Sequence, residues 1–128
     1  MALLGIDYGA KTVGVARSDE TERLAFPVGS LANNTRLFLE LGKIAAQYGV
    51  TGVVIGESKD LQWQDNPIMK QIRAFSDRVR TDLQLAVYFE EEYFTSTAAR
   101  RSTDEENVDA AAAALILQSY LDKKQNKR

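Results

Sequence analysis

Residues 3–19 read LLGIDYGAKTVGVARSD, two short apolar runs separated by Gly9, Ala10 and Lys11. Extended by one residue upstream, the runs ALLGIDY and TVGVARS have the length and content of two strands joined by a tight hairpin. Strand alternation sets Asp7 on the same face as Leu3 and Gly5. With the turn centred near Ala10 and Lys11, the residues opposite on that face are Gly14 and Ala16, both small. A carboxylate inside a central apolar strand is costly unless it is paired or meets a cation. Asp7 is therefore the first functional candidate, and its small neighbours leave room for an ion, a substrate or a closely packed helix.

Outward from this hairpin, ERLAFPV reads as a third strand, with Pro27 tolerable near its end or on a sheet edge. From Thr35 to Tyr48 the apolar positions Leu37, Phe38, Leu41, Ile44, Ala45 and Tyr48 keep helical spacing, and Gly49 supplies the stop. TGVVIG is a short continuous apolar strand, covered on both faces. After a polar loop from Glu57 to Asn66, Pro67 opens a second helix with Ile68, Ile72, Phe75, Val79 and Leu83 as its buried stripe. LAVYF is the fifth strand. The last helical pattern has a short part near Ser96–Arg101 and a longer one from about Val108 to Asp122, with STDEEN between them as a turn or loop. The order β-β-β-α-β-α-β-α predicts an α/β fold, a five-stranded mixed sheet flanked by helices on the ribonuclease H-like plan. One domain is expected over residues 1–122, followed by a basic C-terminal tail at 123–128.

Composition narrows the chemistry. The 128 residues contain no cysteine and no histidine, so disulfides, thiolate metal sites, thiol nucleophiles and imidazole acid–base catalysis are excluded. A formal net charge of -2 excludes a uniformly basic surface, so nucleic-acid contacts must come from local clusters. No stretch is apolar and long enough to span a bilayer, and the N-terminus lacks a signal-peptide layout, so no membrane partner is expected and the expected address is cytoplasmic.

A second acid comes from VDAAAAALILQSYL, where Asp109, Ala112, Ala113, Ile116 and Tyr120 share one helical face. An alanine face allows the helix to lie close over the first two strands and bring Asp109 toward Asp7. The helix macrodipole also favours an acid near this terminus without any chemistry. The run Glu90, Glu91 and Glu92 ends the fifth strand, and alternation prevents all three from facing inward. Glu57 follows the fourth strand at the kind of strand end where open sheets collect their sites, and supplements the candidate metal ligands. Two carboxylates about 4 Å apart repel by roughly 4 kcal/mol at an effective dielectric near 20. A divalent cation reverses that sign; Mg2+ takes hard oxygen ligands and supports in-line phosphoryl chemistry. Lys11, Lys59, Arg100 and Arg101 are the candidate nucleic-acid contacts, while Lys70, Arg73 and Arg80 read as a solvated face. Trp63 either stacks on a base or closes over the core edge.

GIDYGAKTVGVARSD, VVIG, the acidic segment YFEEEYFTS and VDAAAAALILQSYLD, in this order from Leu3 to Asp122, resemble the YqgF family of Holliday-junction-resolvase-like bacterial proteins. The resemblance implies a Mg2+- or Mn2+-dependent nuclease, acting in 5'-end maturation of the 16S rRNA precursor or on branched DNA. Carried over by position, it implies Asp7, Glu92 and Asp109 as catalytic, metal-binding acids. Two departures stand out: Tyr93 replaces an arginine, and Gly56-Glu57-Ser58 replaces Gly-Leu-Pro. The segment TDEEN before the last acid is acidic where the family is often basic, which weakens phosphate attraction.

Three functions compete. The leading one is a metal-dependent endonuclease on structured RNA or branched DNA, as a monomer or homodimer. An acid followed by Gly-x-Lys also resembles the phosphate hairpin of actin-like ATPases and sugar kinases, which require a second such domain. The third is a non-catalytic RNA-binding ribosome-assembly factor on the same fold.

Overall fold

The structure is a computed structural model; it describes residues 2–58, 68–92 and 105–126, and among these the side chains of 58, 68, 91, 92, 105–108 and 126 are not described. Five strands, β1 (Ala2–Tyr8), β2 (Thr12–Ser18), β3 (Ala25–Ala32), β4 (Val50–Ser58) and β5 (Ala86–Glu92), form one sheet in the order β3-β2-β1-β4-β5. The β1–β2 and β2–β3 pairs are antiparallel, whereas β4 runs parallel to both β1 and β5. Three helices complete the fold: α1 (Leu37–Tyr48), α2 (Ile68–Asp82) and α3 (Glu105–Asn126).

The two faces of β1 carry different side chains, and this decides what packs on each. Ala2, Leu4 and Ile6 join Val13, Val15, Val53 and Ile55 in a core with Leu37 and Leu41 of α1 and Met69, Ile72, Phe75 and Val79 of α2. Leu3, Ala16 and Val54 face the other way, against Ala113, Ile116, Leu117 and Leu121 of α3. On that side Gly5 and Gly14 leave the sheet bare where α3 crosses β1 and β2. An ideal Cβ on Gly5 would lie 2.7 Å from both the Ala113 carbonyl oxygen and the Leu117 Cβ.

The opening hairpin, the mixed sheet and the three helical segments match the sequence reading, with differences at the boundaries. β3 covers Ala25–Ala32 rather than starting at Glu22. Asp19 organises the residues before it: its Oδ2 accepts the Thr21 hydroxyl at 2.6 Å and its Oδ1 accepts the N–H groups of Arg23 and Leu24. These bonds bend Asp19–Leu24 into a turn and postpone the strand. Pro27 lies within β3, which is the sheet edge where a missing N–H is tolerated. Gly49 ends α1 in the left-handed conformation, φ 63°, donating to the Ala45 carbonyl.

α3 starts at Glu105, inside the expected STDEEN loop, and runs to Asn126, so the expected tail boundary at 123 falls inside a helix. Its last turns are tied down by side chains. The carboxylate of Glu90, only 5% exposed, accepts the Ser119 hydroxyl and the Lys123 ammonium, each at 2.6 Å. Lys124 reaches Glu22 at 3.1 Å. The expected short helix near Ser96–Arg101 lies outside the described residues, as does Pro67.

Gly5→Ala should lower unfolding free energy by about 1–3 kcal/mol in urea titration, while Gly29→Ala, with nothing within 4 Å of the place its methyl would take, should stay near wild type. The Thr21 hydroxyl, followed by the Arg23 and Leu24 N–H groups, holds the Asp19 carboxyl down from 3.8 to about 2. Its folded value is depressed, so its stabilising contribution is present above the unfolded pKa and is lost as pH falls toward about 2. Carboxylate NMR titration should find that low midpoint in the wild type and a higher one in Thr21→Val.

Candidate active site

Gly14 is the point where the two leading acids converge. It is the register partner of Asp7 across the β1–β2 ladder, and the backbone of Asp109 rests directly on it. A Cβ at position 14 would collide with the Asp109 carbonyl oxygen and carbon. The alternation that sends Leu3 and Gly5 toward α3 sends Asp7 the same way, and it is only partly buried. Asp7 thus stands at the carboxyl end of β1, beside the first described side chains of α3. It is not isolated, since it takes part in an interaction of its own.

The Asp109 carboxylate is held from the sheet. Its Oδ2 accepts the Thr12 hydroxyl at 2.6 Å and the Ser30 hydroxyl at 3.3 Å. Thr12 begins β2 and shares strand parity with Gly14; Ser30 is the register partner of Gly14 on β3. These two hydroxyls are absent from the sequence reading. Thr12 was legible from the two-residue period, but Ser30 depends on β3 extending past Val28, where residues 29–32 pair with the start of β2.

The remaining predicted residues divide. Glu92 ends β5 opposite Ser58, and its side chain is outside the described set. Glu90, two positions earlier, is engaged by Ser119 and Lys123 and acts in holding α3 to β5. Glu57 has the parity of Val53 and Ile55, which face the α1–α2 core, so alternation separates it from the Asp7 face, against the expectation that it joins the site. Lys11 is exposed in the β1–β2 turn, where its carbonyl accepts the Asn33 N–H. Lys59, Trp63, Arg100 and Arg101 lie outside the described residues. Among the described residues, no group of three or more acidic, histidine or cysteine side chains forms a complete metal cage. The described donors are nonetheless hard carboxylate oxygens, the type suited to Mg2+ or Mn2+.

A five-stranded mixed sheet of this order, flanked by helices, is the ribonuclease H-like fold. Thermus thermophilus RuvC, solved in complex with Holliday junction substrate, shares that fold at a TM-score of 0.62 and 13% identity, covering 98% of this chain and 96% of its own. The chain belongs to the RuvX family, described as Holliday junction resolvase, whose model matches residues 1–123. The sequence resemblance therefore holds over nearly the whole chain.

Relatives described as candidate pre-16S rRNA nucleases agree with this placement. The Rickettsia typhi protein is 33% identical, with 73% of this chain and 61% of its own length covered. The chain thus spans less than two thirds of that relative. The Nitratidesulfovibrio vulgaris protein is 35% identical, covering 74% and 68%. The Caldanaerobacter subterraneus protein is 31% identical, covering 98% and 99%.

Gly14→Ala should separate the site from the fold. Expected is a chain that retains its sheet but displaces the first turns of α3, seen as NMR shift changes confined to Thr12, Ser30 and residues 109–113. Changes spread across the α1–α2 core would contradict that local account.

Proposed function

We propose that this protein is a divalent-metal-dependent endonuclease that hydrolyses phosphodiester bonds, with 16S rRNA precursor as the leading substrate and branched DNA as the second. The observation that carries the proposal is the convergence of Asp7 and Asp109 on Gly14, in a chain without histidine or cysteine. Family membership over residues 1–123 and the names of the relatives support the same reaction class.

In this reading Asp7 and Asp109 are catalytic acids that hold the metal, and Glu92 is the third. A bound Mg2+ or Mn2+ supplies Lewis acidity toward the phosphate and lowers the pKa of a coordinated water. The protein contributes position. Asp7 is set by a buried strand through its pairing with Gly14 of β2, and Asp109 by a helix seated on Gly14, so both carboxylates are arranged before substrate arrives. Hydrolysis adds water at phosphorus and releases the displaced oxygen as an alcohol. Lys11, exposed at the hairpin beside Asp7, offers positive charge to the nucleic-acid backbone. Lys59, Arg100 and Arg101 extend that role in the same proposal.

Tyr93 in place of the family arginine and the acidic TDEEN segment favour a second reading, a non-catalytic RNA-binding assembly factor. The two are separated by cleavage of a labelled rRNA-precursor fragment and a four-way DNA junction, with Mg2+ or Mn2+ and with chelator. Asp7→Asn should reduce metal-dependent cleavage at least 100-fold while leaving RNA binding in chelator unchanged, on the order of the losses seen when charge-stabilising groups are removed. Equal background from wild type and variant at saturating protein would sink the nuclease reading and leave the binding factor.

A further inference from the structure

We infer that Thr12 and Ser30 are positioning residues that hold one oxygen of the Asp109 carboxylate so that the other is presented to a divalent cation. The inference rests on the reading of Asp109 as a metal ligand.

Asp109 is the fifth residue of α3, past the first turn, so its carboxylate is not capping the free N–H groups at the start of its own helix. Its partners come from two different strands instead. The Thr12 and Ser30 hydroxyls both donate to Oδ2, at 2.6 and 3.3 Å.

The donor type fits the same role. Hydroxyls satisfy an anionic oxygen, Thr12 through a short, charge-assisted bond, yet bring no positive charge that would compete with a cation. Outer groups of this kind set the orientation of a ligand, and their loss typically weakens metal affinity by 10–100-fold. The seat of the helix backbone on Gly14 fixes the Asp109 Cα, so the hydroxyls act on the remaining side-chain freedom. Thr12 is exposed at the start of β2, and valine reproduces its branched shape, so Thr12→Val removes the hydroxyl with little else.

The test is Mn2+ binding to the full chain, read by electron paramagnetic resonance of free Mn2+, without substrate. Expected are a 10–100-fold weaker Kd for Thr12→Val, a smaller loss for Ser30→Ala, whose bond is longer, and recovery to within about threefold for Thr12→Ser. Half-maximal metal for cleavage should rise in parallel, with the rate recovering at saturating Mn2+. Unchanged thermal unfolding in chelator serves as the folding control, and Ser30→Ala carries the test if Thr12→Val does not fold. Wild-type affinity in Thr12→Val, with binding impaired in Asp109→Asn, overturns the positioning role alone. Tighter binding in Thr12→Val also overturns it, because the hydroxyls would then hold the carboxylate away from the metal. Unchanged binding in Asp109→Asn overturns both this inference and the metal-ligand reading beneath it.

Discussion

The close approach of α3 to β1 and β2 is the constraint on which the rest of the structure depends. It is possible because Gly5 and Gly14 present no side chain where the helix backbone crosses, with Ala16 alongside. Overpacking in such a contact cannot be relieved by rotating a rotamer, since the opposing atoms are helix backbone and the Leu117 Cβ, which no rotamer moves. The same contact sets the depth at which Asp109 meets the sheet, and so couples the fold directly to the geometry of the site.

The sheet resolves two packing demands by dividing them between its faces. One face carries bulky aliphatic residues from β1, β2 and β4 and accepts two helices through side-chain interdigitation. The other is stripped to Gly5, Gly14 and Ala16 near the hairpin and accepts a single helix at short range. Burial provides the driving force on both, but only the second leaves a strand-borne carboxylate beside a helix-borne one. Polar contacts then tie the helix at each end: Thr12 and Ser30 at Asp109, and Glu90 at Ser119 and Lys123. The acidic run on β5 is therefore split in function, with Glu90 committed to structure and Glu92 left as the candidate ligand.

A great deal of this was legible in the chain. The period-two pattern of residues 2–18 and the helical spacing of 37–48 and 108–122 specify the elements, because alternation and helical pitch are local properties. Asp7 could be singled out for the same reason, as an acid on a strand face of small residues. Glu57 shows where locality fails: nearness to a strand end suggests a shared site, yet parity sends it to the opposite face. Ser30 escapes the pattern because β3 runs on past the apolar run ending at Val28, held by its pairing with β2 at Gly14 and Thr12, which no hydrophobic pattern records.

By itself, then, the sequence determined the order and type of the elements, the face on which Asp7 lies, and the absence of imidazole and thiol chemistry. Tertiary structure alone decided which oxygen of Asp109 is held, which glutamate of β5 is tied to α3, and that the last helix runs on to Asn126. The physical reason is range. Strand parity and helix pitch are fixed within a few residues, whereas the Thr12–Asp109 and Glu90–Lys123 contacts join positions 97 and 33 residues apart and exist only once the helix has settled on the glycines.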